Sequence, residues 1–85
     1  MKAKDSFSEI ISTLSESLSK MTPDEARATL DRELERAGAQ GVRRERTETK
    51  NAPYCPDGNE YRTCHWVDHG DGTVSDEWCS NWGCR

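Results

Sequence analysis

Cysteine, serine and tryptophan are concentrated near the C-terminus of this 85-residue sequence. The stretch SDEWCSNWGC consists of two consecutive pentads, in which Ser75 precedes Cys79 and Ser80 precedes Cys84, each with three intervening residues. A thiolate can add to a dehydrated serine to form a thioether ring, and closing a short loop costs little entropy. The spacing therefore indicates two adjacent rings that do not overlap.

Two other chemistries are open to the same cysteines. Disulfide bonds among the four cysteines allow three pairings, and each pairing would constrain a loop-rich tail. A tetrahedral zinc site is a weaker alternative, because the tail contains no Cys-x-x-Cys knuckle. The candidate ligands for zinc are Cys55, Cys64, His65, His69, Cys79 and Cys84, and the further candidates for dehydration are Thr63 and Thr73.

The composition limits what a chain of this size can do. Hydrophobic residues make up 32% and charged residues 33%, so a large self-sufficient core is not expected. A net charge of −4 argues against binding to nucleic acid. The stretch MKAKDSFSEIIS lacks the apolar region of a secretory signal, and no segment is long enough to span a membrane. No base and nucleophile lie on a rigid scaffold, so we expect neither an enzyme nor a cofactor.

Two amphipathic helices are predicted in the N-terminal part, at about 6–20 and 23–37. Apolar residues recur there at three- and four-residue steps. In the second helix Thr22 is the expected N-cap, Glu25 completes a capping box, and Gly38 is the expected stop. The apolar residues of the two helices are Phe7, Ile10, Ile11, Leu14, Leu18, Met21, Leu30 and Leu34.

The rest of the chain shows no helical pattern. Residues 39–50 are polar and basic, which predicts a flexible linker. Residues 51–85 contain all four cysteines and predict an irregular tail, in which 61–67 and 73–79 can pair as a short β-hairpin. The expected fold class is therefore small all-α, with the helices in residues 1–38.

A helical segment followed by a linker and a tail rich in Cys, Ser, Thr and Trp resembles the precursor of a ribosomally synthesised and post-translationally modified peptide. The frames SDEWC and SNWGC are most similar to lanthipeptide cores. The resemblance implies that residues 1–38 are a leader, bound through its apolar residues by a modifying enzyme. It also implies that residues 51–85 are the core of a bacteriocin-like or other bioactive peptide, with a thioether in each pentad. A protease would cut the linker at AGAQG or at RRER.

The resemblance also implies partners and a location. The partners would be the modifying enzyme, a leader protease and an exporter, and a membrane would concern only the mature peptide. The precursor would be cytoplasmic and the mature core exported. The alternative function is a stand-alone helical interaction module with a disulfide- or zinc-stabilised tail. That alternative predicts a tail that folds by itself once it is oxidised or metallated.

Overall fold

A computed structural model describes residues 6–38 and 41–84 as two helices and one antiparallel sheet. The elements are α1 (Ser6–Leu18), α2 (Pro23–Ala37), β1 (Val42–Asn51), β2 (Asn59–Asp68) and β3 (Trp78–Cys79). The strands lie in the order β1-β2-β3. This is an α+β arrangement, so the small all-α fold class predicted from the sequence is wrong.

Both predicted helices are present, and the signals at the ends of α2 act as expected. Thr22 Oγ1 accepts a hydrogen bond from the Glu25 N–H at 3.2 Å, and the Glu25 carboxylate accepts one from the Thr22 N–H at 3.0 Å. These bonds lower the pKa of Glu25 from its ordinary value. Gly38 ends α2 with a φ of 63°. Within 6–38 and 41–84, no helix has the length and apolar run that crossing a bilayer requires.

The segment predicted to be a flexible linker forms β1 instead. This strand pairs with β2 along its whole length. Its side chains lack the apolar alternation of a half-buried strand, so its sequence does not reveal it. Ion pairs across the two strands take the place of apolar contacts: Arg62 Nη2 lies 2.6 Å from Glu48 Oε1, and Lys50 Nζ lies 3.5 Å from Glu60 Oε1.

The tail, predicted to be irregular, contains the central strand of the sheet. β2 covers the expected segment 61–67. Of the expected partner segment 73–79, only the two residues of β3 are in a strand, with Cys79 opposite Cys64. The tail therefore belongs to the same folded unit as the helices, because β2 also contacts α2.

The helices cover one face of the sheet, which we name the helix face. The β2 residues on the helix face are Tyr61, Thr63, His65 and Val67, all of them buried. Alternate residues such as Arg62 and Trp66 lie on the opposite, outer face and are partly exposed. The buried apolar cluster consists of Phe7, Leu18, Ala26, Leu30, Leu34 and Val67, with Ile10, Ile11, Leu14, Met21 and Trp78 packed against it. One core thus joins both helices to the sheet.

A fully buried histidine lies on the helix face. The His65 ring stacks on Trp78 with 6.0 Å between the ring centroids. Its Nδ1 lies 3.2 Å from Arg43 Nη1, and a guanidinium only donates, so Nδ1 is the unprotonated acceptor. Nε2 therefore carries the proton and donates to Thr63 Oγ1 at 2.8 Å. Arg43 is held in turn by Asp31 of α2, at 2.6 Å.

We expect the free energy of unfolding to decrease as the pH falls below 6.5, the ordinary pKa of histidine. Burial, and then the Arg43 charge, lower the pKa of His65 in the folded chain, so the unfolded chain takes up the proton first. The decrease in the free energy of unfolding begins near pH 6.5 and continues down to the lowered pKa of His65 in the folded chain. Urea unfolding at a series of pH values measures it.

Matched variants identify the histidine responsible. A His69→Asn chain should keep the pH dependence, and a His65→Asn chain should lose it. Hydrogen bonds from arginine lower the pKa of Glu48 and of Glu77 from the ordinary 4.5, so the stability that depends on these carboxylates is present above pH 4.5 and is lost only as the pH falls below it. Equal stability of the unmodified chain on both sides of pH 6.5 would contradict the prediction.

Candidate functional site

The four cysteines form two nested disulfides. Cys55 is bonded to Cys84, and Cys64 to Cys79, at sequence separations of 29 and 15 residues. The first bond, the outer disulfide, joins the chain end to the loop between β1 and β2, and the second, the inner disulfide, joins β2 to β3. A loop of 15 residues closed in this way stabilises a fold by about 3 kcal/mol in the chain-entropy model. Disulfides are thus the chemistry that the geometry supports.

The serines that begin the two pentads are buried partners of β2. The Ser75 N–H donates to the Val67 carbonyl at 2.8 Å, and Ser75 Oγ accepts from the Val67 N–H at 2.8 Å. Ser80 repeats this arrangement on Thr63, at 2.9 and 3.1 Å. Each hydroxyl donates its own proton to the carbonyl of the following residue. A serine hydroxyl therefore takes the place of a backbone carbonyl at two points of the β2 edge.

This arrangement gives the pentad spacing a structural meaning. Ser75 and Ser80 are five residues apart, whereas their partners Val67 and Thr63 are four residues apart. The C-terminal segment therefore contains one extra residue per pentad, as at a β-bulge. The hydroxyl supplies the acceptor that the bulged backbone cannot place beside β2.

The second pentad also contacts the helices. Asn81 Nδ2 donates to the carbonyl of Ser19, just beyond α1. Gly83 exchanges two backbone hydrogen bonds of 2.9 Å with Tyr61. A Cβ at position 83 would lie 3.0 Å from Cδ of Pro23, so glycine allows the close approach to the first turn of α2.

The predicted modification sites lie in different surroundings. Thr63 is buried, whereas Thr73 is exposed and its hydroxyl donates to Asp71 Oδ1 at 2.5 Å. Dehydration of either pentad serine would remove the acceptor of a buried N–H, and thioether formation would leave Cys55 and Cys64 without their present partners. Thioether formation stays a prediction that chemical analysis has to test.

The apolar residues predicted to bind a modifying enzyme pack in or against the core of the molecule. Phe7, Leu18 and Leu30 are at most 1% exposed, and Leu34 is 8% exposed. The partly buried members, Ile10, Ile11, Leu14 and Met21, pack against the same core. In the part of the chain that the structure describes, these side chains contribute to the core, and their binding to a modifying enzyme stays a prediction. Of the two predicted cleavage sequences, RRER lies in β1, and residues 39 and 40 of AGAQG are outside the described residues.

The fold does not bring the six candidate zinc ligands, all of them described residues, together in one site. His65 lies on the helix face, whereas Cys64 lies on the outer face. Among the described residues, Cys64, Glu77 and Cys79 have potential ligand atoms within 4.8 Å of one another. The two sulfurs of this group are bonded to each other, so neither offers the thiolate that zinc requires.

The outer face carries a chain of ion pairs. Arg46 donates to Glu77 through Nε at 3.0 Å and through Nη2 at 2.8 Å, and it donates to Glu48 at 2.8 Å. Glu48 is bound in turn by Arg62, whose Nη2 lies 2.6 Å away. Sequence analysis did not find this network, because its members come from β1, β2 and the segment before β3.

An exposed tyrosine projects from the loop 52–58, at the tip of the β1–β2 hairpin. Tyr54 is 72% exposed, and its hydroxyl is hydrogen-bonded to Glu60. Glu60 also binds Lys50, whose Nζ lies 4.5 Å from the ring centroid of Trp82. We name Lys50, Tyr54, Glu60 and Trp82 the hairpin-tip surface. Sequence analysis missed Tyr54; the available signal was PYCP, an aromatic residue and a cysteine between two prolines.

Two open clefts of the described surface are small. Two clefts of the described surface have volumes of about 190 and about 140 Å³. The first lies between Phe7 and Trp78, and the second lies beside Tyr61. Both are below the roughly 300–1,000 Å³ of sites that enclose a drug-sized ligand. Neither of these two clefts is large enough to enclose such a ligand.

Comparison with protein-family models, with curated proteins and with solved structures finds no match to this chain. The function has to be inferred from the contacts within the chain itself.

Replacing Ser75 or Ser80 by alanine should lower the free energy of unfolding by about 1–3 kcal/mol, because a buried backbone N–H loses its acceptor. The two serines are 7% and 4% exposed. Urea unfolding of the oxidised chain measures the loss. Hydrogen exchange should accelerate at the Val67 amide in the first variant and at the Thr63 amide in the second.

The control is Ser17→Ala on the exposed side of α1, which should change stability by less than about 0.5 kcal/mol. Variants at positions 75 and 80 that are as stable as the unmodified chain would contradict the structural role of the two hydroxyls.

Proposed function

We propose that this chain is a disulfide-stabilised protein-binding module of an oxidising compartment, and that it contacts its partner through the hairpin-tip surface. The observation that carries the proposal is the outer disulfide, which anchors the loop that exposes Tyr54. Unlike the helical interaction module inferred from the sequence, this module includes a sheet, and disulfides rather than zinc stabilise its tail.

The disulfides support the choice of compartment. Such bonds persist mainly in secreted, periplasmic and other oxidising surroundings, and small domains there depend on them. A chain of 85 residues with 33% charged residues has little apolar core to spare, so covalent links contribute a large share of its stability.

The loop at the hairpin tip is well constrained. Backbone hydrogen bonds of 2.9 Å run from the Cys55 N–H to the Ala52 carbonyl, and from the Gly58 N–H to the Cys55 carbonyl. A third bond of 2.9 Å runs from the Ala52 N–H to the Gly58 carbonyl. Two prolines restrict the backbone further. A loop already held in one conformation loses little entropy when a partner binds it.

Tyr54 has the chemistry of an interface anchor. Tyrosine and tryptophan provide much of the binding energy in protein interfaces, because a rigid ring buries a large area. The hydrogen bond with Glu60 raises the pKa of Tyr54, so the phenol remains neutral at physiological pH. The matching partner is a folded protein with an apolar pocket for the ring and a polar group for the hydroxyl.

The precursor of a modified peptide stays a second candidate, favoured by the paired serine-to-cysteine frames. The precursor requires the sulfurs of Cys79 and Cys84 to be bonded to the β-carbons of modified serines. The module requires the same sulfurs to be bonded to other cysteine sulfurs. In the precursor, the helices would be bound by the enzyme that modifies the tail. In the module, they support the sheet.

The intact mass of the chain from its native producer separates the two functions. The module predicts a mass below the sequence mass by two hydrogens for each disulfide, with every cysteine open to alkylation after reduction. Loss of one water per ring, with cysteines that resist alkylation after reduction, would contradict the module. That result would make Ser75 and Ser80 the first sites to map.

A photo-crosslinking amino acid in place of Tyr54 tests the contact surface. Added to the extracellular fraction of the producer, the oxidised chain should form one covalent adduct with its partner. The same amino acid in place of Val74, which is 59% exposed at the other end of β2, is the matched control and should form none.

Competition makes the result specific. Excess unlabelled oxidised chain should abolish the adduct, and a Tyr54→Ala chain should compete about tenfold less well, because the anchor is lost. Adducts of equal yield at the two positions, or equal competition by the alanine variant, would contradict the proposed surface.

A further inference from the structure

The two disulfides differ in how a thiol can reach them. In the outer disulfide Cys84 is exposed, although Cys55 is only 4% exposed. In the inner disulfide Cys64 is fully buried and Cys79 is partly exposed. Thiol–disulfide exchange needs access of a thiolate to one of the sulfurs. Burial alone therefore directs an attacking thiolate to the outer disulfide, and to its Cys84 sulfur.

Side chains packed beside the inner disulfide add to this difference. Glu48 Oε1 lies 4.0 Å from Cys64 Sγ, and Glu77 Oε1 lies 3.9 Å from Cys79 Sγ. Ion pairs with arginine hold both carboxylates in place and keep them ionised. Arg46 and Arg62 are bound to the same carboxylates, so this cluster is close to neutral and hinders a thiolate by occupying the space beside the inner disulfide.

We propose that Cys84 is a thiol–disulfide exchange site for small monothiols, represented by glutathione, and that the inner disulfide is shielded from them. The thiolate sulfur of the small thiol bonds to Cys84 Sγ, and the Cys55–Cys84 bond breaks. Cys55 leaves as a thiolate and takes a proton from solvent. A second small thiol can then displace Cys84 as a thiolate, and the two small thiols leave as their own disulfide.

The exchange opens the loop and leaves the sheet in place. β2 keeps the hydrogen bonds that its N–H groups donate to Ser75 and Ser80 and keeps the inner disulfide, whereas the loop 52–58 loses its covalent anchor. The effect on binding rests on the proposed function of the hairpin-tip surface. A chain carrying a thiol on Cys84 should bind its partner more weakly, because the loop then keeps only its backbone hydrogen bonds and prolines to hold Tyr54 in advance.

Peptide mapping of the native oxidised chain tests the site. The chain is incubated with reduced glutathione, quenched with acid, alkylated with N-ethylmaleimide and digested. We expect glutathione on Cys84, the alkyl group on Cys55 and an inner disulfide that is still intact when the outer disulfide has opened. Glutathione on Cys55, or an inner disulfide that opens first or at the same rate, would overturn the proposal.

Separate readouts distinguish the exchange site from the proposed function. The expected mapping result with a failed Tyr54 crosslinking test counts against the binding module alone. A successful crosslinking test with glutathione at the wrong cysteine counts against the exchange site alone. If both hold, the chain with glutathione on Cys84 should compete less well than the oxidised chain in the crosslinking assay.

Discussion

The central strand β2 has to satisfy its backbone hydrogen bonds on both sides, because it lies between β1 and the C-terminal segment. A regular ladder does this on the β1 side. On the other side, two of the described residues are in a strand, and the hydroxyls of Ser75 and Ser80 supply further acceptors. Once that edge is closed, one face of β2 packs against the helices and the other holds the ion pairs and the inner disulfide.

The helices could be predicted because their signals are local. The capping box of Thr22 and Glu25 lies within four residues, and Gly38 ends α2 where the apolar pattern stops. β1 could not be predicted in the same way, because what stabilises it lies elsewhere in the chain. Its Glu48 depends on Arg62 of the neighbouring strand, and a local pattern of polar residues does not show this.

For the same reason, the candidate site could be predicted from the sequence only in part. The pentads and the four cysteines were visible in the sequence, and their regular spacing does reflect a regular structure. The use of the serine hydroxyls depends on Val67 and Thr63, whose relation to the pentads appears only when β2 is in place. The pairing of the cysteines is non-local too, since Cys55 and Cys84 are separated by 29 residues.

β1 is an edge strand, and its composition affects how the molecule behaves when it is concentrated. An edge with apolar side chains recruits strands from other molecules and starts aggregation. Six of the ten residues of β1 are charged, with both signs present. A strand added at this edge would have to lie against those charges and compete with the ion pairs they already make. The ion pairs that join β1 to the sheet therefore also protect the molecule against self-association into fibrils.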